Sequence, residues 1–307
     1  MSNAAAMRPG RPALPEWVRR LPEYLMIWVP LLLSAAHLVS FSLWTIWISF
    51  TPSTLVPVAG WVGLRNYSAV AASRNWQIAF DNLLLFGISF VVLSAATGLV
   101  LAILLDQRIR GENVLRSIFL YPLAVSFVVT GTVWSWLLNP GLGIQKLVHD
   151  LGWTSFKFDW LIDRDMAIWT IVIAAIWQSS GFAMALFLAG LRSVDGDIVK
   201  AAQIDGAGPI RMYRRIILPS LWPITITVVV IQLQFAISTF DLVRALTNGG
   251  PGIATQLPAL VVYDLMFQRS LLGRGAAAAV LMLLILLAVL LPYAAWRYLQ
   301  RRRASHA

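Results

Sequence analysis

Six apolar runs, each long enough to cross a bilayer as a helix, leave this chain few folds to choose from. They extend approximately over Tyr24–Phe50, Asn82–Leu105, Val114–Leu138, Met166–Leu191, Leu221–Val243 and Gly275–Tyr298. A helix needs roughly 20 apolar residues to cross about 30 Å of hydrocarbon, where water cannot satisfy an exposed backbone polar group. The predicted fold is an all-α polytopic membrane protein with six transmembrane helices over 23–298. A disordered tail at 1–22 and a basic tail at 299–307 flank it. The first run follows Arg19 and Arg20 and contains the small residues Ser34, Ala35 and Ala36, as a signal peptide would. Its apolar length exceeds the roughly 7–15 residues of a signal core, so it is read as a span.

Composition agrees with lipid as the solvent. Hydrophobic residues make up 59% and charged residues 12%, against about 45–50% and about 25% in soluble domains. The net charge of +10 is spread over short connectors and forms no stripe, which argues against nucleic acid as a partner. Cysteine is absent, so there is neither a disulfide framework nor a thiolate nucleophile.

Lysine and arginine set the orientation. With the N-terminus cytoplasmic, that side carries 16 of the 24 basic residues and the opposite side eight, with seven acidic residues on each. Both termini are therefore expected inside. The segment 192–219 then becomes the most basic internal cytoplasmic loop. The connectors 51–81, 139–165 and 242–274 face outward.

Catalytic constellations are missing. His37, His149 and His306 are scattered, no H-E-x-x-H or G-x-S-x-G occurs, and no Gly-Lys pair exists to build a phosphate-cradling loop. The chain is expected to be no enzyme and to hold no metal or cofactor. Acidic residues inside the spans are nearly absent, which weakens the alternative of a proton-coupled secondary transporter.

The loop "VKAAQIDGAGPIRMYRRIILP" reads as helix, turn, helix. Asp195 or Asp197 caps the first helix, and Asp205-Gly206 is the turn. Pro209 opens the second helix and Pro219 ends it. Ile210, Tyr213 and Ile217 fall at i, i+3 and i+7 as an apolar stripe, with Arg211, Arg214 and Arg215 beside it. By periodicity alone this segment docks equally well on a protein partner or on membrane lipid.

The same residues resemble the signature loop of the membrane-spanning subunits of binding-protein-dependent ABC importers. That pattern is E-A-A, two residues, D-G-A, five residues, F, two residues, I, one residue, L-P. Here Ala201, Ala202, Asp205, Gly206 and Ala207 match at the right spacing, Tyr213 replaces phenylalanine, and Ile216, Leu218 and Pro219 close the motif. Lys200 stands where the family has glutamate. A second segment, "FDLVRALTNGGPGIAT" (240–255), resembles the outward loop of carbohydrate importer permeases of the maltose type.

The resemblance implies a type I importer permease in a bacterial or archaeal cytoplasmic membrane. It also implies a second homologous permease, two ATPase subunits that hold ATP and magnesium, an extracytoplasmic solute-binding protein, and a sugar-like cargo. Lys200, Ala201, Ala202, Asp205, Gly206, Ala207, Ile210, Tyr213 and Ile217 would couple to the ATPase.

Alignment with the larger maltose subunit puts Leu123, Phe127, Ala175, Gln178, Ser179, Phe182, Ala236 and Thr239 on the substrate path. Gln234 and Ser238 join them as mid-span polar groups. Amide and aromatic side chains suit hydroxyls and ring faces; interhelical bonding is the competing role for Gln178, Gln232, Gln234 and Ser238. Asp241 and Arg244, three apart, are expected to form a local ion pair, and Tyr121-Pro122 to kink the third span.

Overall fold

The structure, a computed structural model, describes residues 16–107 and 110–304. Among the described residues every regular element is helical. In chain order these are α1 (Glu16–Ser49), α2 (Arg65–Ala71), α3 (Arg74–Asp106), α4 (Glu112–Ala124), α5 (Phe127–Leu137), α6 (Ile144–Asp150), α7 (Ala167–Arg192), α8 (Gly196–Ile204) and α9 (Pro209–Met212). A π-turn (Tyr213–Ile217) leads to α10 (Leu218–Ser220), α11 (Trp222–Ser238), α12 (Asp241–Leu246) and α13 (Pro258–Tyr263). A second π-turn (Asp264–Gln268) precedes α14 (Leu272–Ala304). Most of the segment expected to be a disordered tail, residues 1–15, lies outside the described residues. Residues 16–22 are already helical, and α14 carries helix into the basic tail as far as Ala304.

Four helices are single spans: α1, α3, α7 and α14. Two further spans are broken pairs, so the expected six appear only when each pair is counted once. In the third span α4 and α5 meet at 98°, far beyond a kink. Pro122 has no N–H to donate within α4, Val125 is extended, and the Ser126 hydroxyl caps α5 by accepting from the Val129 N–H at 3.3 Å. In the fifth span the helical run Pro209–Ser220 meets α11 at 65°. Pro219 therefore does not end the loop's second helix, which runs on through Ser220 into the bend. The expected end of this span at Val243 is also corrected. Helix α11 stops at Ser238, Thr239 turns extended while its hydroxyl donates to the Phe235 carbonyl at 2.6 Å, and α12 starts anew.

Residues up to Trp47 form a unit by themselves. Helix α1 is apolar all round with no buried residue in its membrane window, and Trp44 and Trp47 pair near its end with ring centroids 5.5 Å apart. From Ile48 onward the chain builds a second unit around α3 and α7. The two helices approach closely at Gly98, where a Cβ would come within 2.5 Å of the Ala183 Cβ and 2.8 Å of the Met184 nitrogen. In lipid such backbone approach replaces the hydrophobic effect as the source of helix association.

One core joins Phe86, Phe90, Ile171, Ala236, Leu242 and Leu257. A second, toward the loop end, joins Leu105, Met184, Phe187, Leu191, Ile217 and Leu221. A third sets Val70 and Trp76 against Val261, Ala277 and Ala278. Polar side chains cross-link this interior: Gln232 Nε2 donates to Ser94 Oγ at 2.8 Å, joining α11 to α3.

The connectors gather at two ends. At one, Arg192 on α7 reaches Glu112 Oε1 at 2.6 Å and Asp106 Oδ1 at 3.9 Å, tying the ends of α3, α4 and α7 together. At the other, the Gly273 N–H donates to the Ser53 carbonyl at 2.8 Å, and Asn82 Nδ2 donates to the carbonyls of Ala254 and Gln256 at 2.9 and 3.0 Å.

Candidate functional site

The 192–219 segment is built as a short lever on a buried anchor. Asp195 caps α8 by accepting from the Asp197 N–H at 2.9 Å. At the end of this nine-residue helix the Ala207 N–H returns to the Ala202 carbonyl at 2.9 Å, and Gly206 takes φ +74° with nothing within 4 Å of where a Cβ would sit. That left-handed position is the reason a glycine stands here. Pro209 occupies the first turn of the following helix, as the sequence predicts.

The expected contact stripe divides. Ile217 is 7% exposed and belongs to the chain's own core, with Met212 and Tyr213 packed against it. The Tyr213 hydroxyl also accepts from Gln107 Nε2 at 3.3 Å. These two residues hold the loop to the bundle. A side chain turned into the chain's own core presents no face to a partner, so the expectation of Tyr213 to Ile217 as a contact surface is corrected for Ile217. Ala202 is buried as well, and Ala207 partly so.

What faces out is Ile210, 85% exposed, together with Ile204 at 86% and Ile198. Lys200, Ala201, Asp205 and Gly206 share that exposure. Lys200 bonds Asp197 Oδ1 at 3.0 Å, one turn back. Sequence reasoning placed Ile204 on the first helix without assigning it a role; the signal available was an isoleucine immediately before the Asp-Gly turn, where no helix turn follows to cover it.

The substrate-path residues also separate. Helix α11 presents two faces: Gln232 and Ala236, four apart, are buried, while Gln234 and Ser238, also four apart, are exposed. Ala236 is therefore a packing residue, corrected from path lining, and Gln232 is the interhelical bond described above. Gln178 and Ser179 are 1% and 2% exposed. Gln178 Nε2 donates at 2.7 Å to the carbonyl of Val125, the residue left extended at the α4–α5 break, so it braces that break and faces no open space. Ala175 is buried too.

Leu123 is exposed, and Phe127 and Phe182 are half-buried, with Phe182 edge-on to Phe235 at 6.3 Å. Phe127, Phe235, Ser238, Thr239 and Asp241 surround a cavity of about 40 Å³. The expected Asp241–Arg244 ion pair does not form. Arg244 lies over the Tyr263 ring at 5.0 Å and bonds Asn248 Oδ1 one turn on, which leaves the Asp241 carboxylate on the exposed side of the break. Tyr121 is exposed and Pro122 buried. Among the described residues no group of histidine or carboxylate side chains could hold a metal ion.

Comparison with known proteins places this geometry. Residues 94–305 match the family described as binding-protein-dependent transport system inner membrane component. A probable ABC transporter permease protein of Pyrococcus horikoshii is 38% identical over 281 residues, covering 91% of this chain and 96% of that one. The xylose/arabinose import permease protein XacH of Haloferax volcanii is 34% identical over 239 residues, covering 77% of this chain and 75% of that one. Among solved structures, a chain of a bacterial ABC transporter involved in import of the acidic polysaccharide alginate superposes with a TM-score of 0.76 over 94% of this chain and 98% of that one, at 19% identity. The chain belongs to the binding-protein-dependent transport system inner membrane components, the non-enzymatic permease subunits of ABC importers.

Proposed function

We propose that this permease carries a sugar or sugar-like solute into a bacterial or archaeal cell, with both termini and the 192–219 loop on the cytoplasmic side of the inner membrane. A second, homologous permease completes the path, a solute-binding protein delivers the cargo outside, and two ATPase subunits holding ATP and magnesium seat the loop inside. The carrying observation is the pair of exposed isoleucines Ile204 and Ile210 flanking the turn, on an element anchored to the bundle by Ile217 and Tyr213. Ile204 and Ile210, one on each side of a fixed turn, present apolar side chains that a protein cleft would bury. The face of Gln234 and Ser238 on α11, beside Phe127 and Phe182, supplies the amide, hydroxyl and aromatic groups a sugar requires. Two of the proteins similar to this chain are named for carbohydrate import, which supports the cargo class.

The test is co-purification. With all subunits co-expressed, Ile204→Asp and Ile210→Asp are expected to reduce ATPase recovery with the permease at least about tenfold, while the thermal midpoint of the permease itself stays put. Undiminished ATPase recovery with both variants would overturn the docking role.

A further inference from the structure

Of the eight basic residues assigned by sequence to the sparsely charged side, four line two adjoining cavities. Arg65 opens α2, Arg74 opens α3, Arg269 follows the second π-turn, and Arg274 lies in the first turn of α14. One cavity, of about 200 Å³, is lined by Arg74, Arg269 and Arg274. The other, of about 160 Å³, is lined by Arg65 and Arg274, and Leu271 and Arg274 border both. All four arginines are exposed, and none has a carboxylate within ion-pair distance among the described residues. The one acidic group at the cavities, Asp264, accepts from Gln256 Nε2 at 3.0 Å.

The floor beneath them is fixed. Asn66 Nδ2 bonds the carbonyls of Ser49 and Thr51, the Gly273 N–H bonds Ser53, and a Cβ at position 273 would come within 2.5 Å of the Thr51 oxygen. Four guanidinium groups against the single carboxylate of Asp264 leave a net positive charge on a rigid floor, and an anion relieves their repulsion while accepting their forked hydrogen bonds.

The surroundings say which anion. Helix α3 has 33 residues, about 50 Å at 1.5 Å per residue, which exceeds the roughly 30 Å of hydrocarbon and leaves length for its charged first residue, Arg74, to lie at headgroup depth. Next to the arginines, the connector before α2 exposes Leu55, Val56, Val58, Trp61 and Leu64. Trp61 is stacked on Phe50 at 4.7 Å. An apolar, tryptophan-bearing loop beside a cationic cradle at a span end fits acyl chains on one side and a phosphate on the other. We infer that Arg65, Arg74, Arg269 and Arg274 form a binding site for the phosphate of an anionic phospholipid, at the end of the bundle opposite the 192–219 loop.

The full-length chain, purified in detergent and stripped of lipid, can be titrated with phosphatidylglycerol and separately with phosphatidylcholine, and read by native mass spectrometry. Phosphatidylglycerol is expected to be held about tenfold more tightly. The double change Arg74→Gln with Arg274→Gln is expected to lower its retention about tenfold, and Lys157→Gln to leave it unchanged. Should the double variant not fold, Arg269→Gln alone, expected to weaken retention about threefold, decides the matter. Equal retention by variant and parent overturns the site. Equal binding of the two lipids, with displacement by millimolar inorganic phosphate, assigns the arginines to a free anion and overturns the lipid. Unchanged lipid retention with loss of binding-protein docking assigns them to a protein and overturns it likewise.

Discussion

Two of the glycine turns of this permease, at Gly206 and Gly249, sit at opposite ends and are built on opposite principles. At Gly206 the chain bends in open space, with a single short helix before it and exposed isoleucines on either side. At Gly249 the Leu260 side chain lies where a Cβ would go, at 2.8 Å, and the turn runs into the buried stretch 255–258: Thr255 is bonded to Thr247 and to the Gly250 carbonyl, and Asn82 reaches across from α3 to two backbone carbonyls. The second turn is held from within the chain, through the Thr247, Thr255 and Asn82 side chains. The first is incomplete, and its stability comes only from its anchors. On the docking proposed above, the exposed isoleucines of the first turn are covered by a partner, whereas the second turn draws its bonds from its own chain.

That contrast can be broken most forcefully at Asn82. Asn82→Ala strands the carbonyls of Ala254 and Gln256 and is expected to destabilise the purified permease by about 2–6 kcal/mol, at about 1–3 kcal/mol per unsatisfied group. A thermal midpoint within error of the parent would mean that the turn is not self-contained. Next is Gly206→Val, which forces a β-branched residue into the left-handed region at a cost of about 1–2 kcal/mol. Because no neighbour crowds the site, Gly206→Asn is expected to recover most of that loss in the same thermal assay, and equal loss for both would point to crowding instead of backbone strain. Gln232→Leu removes the bond to Ser94, and interhelical bonds in membranes average about 0.6 kcal/mol; a loss of several kcal/mol would show that this amide does more than join two helices.

The smallest effect is expected at Lys200→Glu, which restores the family residue. It exchanges an exposed pair with Asp197 for a like-charge pair, worth about 0.2–0.5 kcal/mol, and ATPase recovery reports whether the tip needs that charge. A large drop in stability there would contradict the solvent-exposed placement of both groups.

The number and order of the spans are legible in hydrophobic length alone, and the glycine turn with its flanking proline is legible in residue type. The 98° break is only half legible. Pro122 announces a disturbance, but a kinked helix and two separate helices look alike until Gln178 is seen to satisfy the carbonyl freed at Val125. Which amides face a path could not be read at all. Gln232 and Gln234 differ by two positions, hence by opposite faces of one helix, and a span that is apolar all round carries no polar stripe to say which face is which. The loop's apolar stripe misled for a related reason, since periodicity finds an apolar face without telling whether the chain itself or a partner covers it.

The junction at Arg192 carries a consequence for how a push on the loop reaches the spans. Ile217 attaches the lever through a dry contact that ionic strength does not touch, whereas Arg192, about half exposed, attaches it through two carboxylates on other spans. Added salt screens the second attachment and spares the first. On the proposed docking of this loop to ATPase subunits, transport is expected to lose efficiency before assembly is lost as salt rises, with ATP still consumed while fewer strokes arrive at the far ends of α3 and α4.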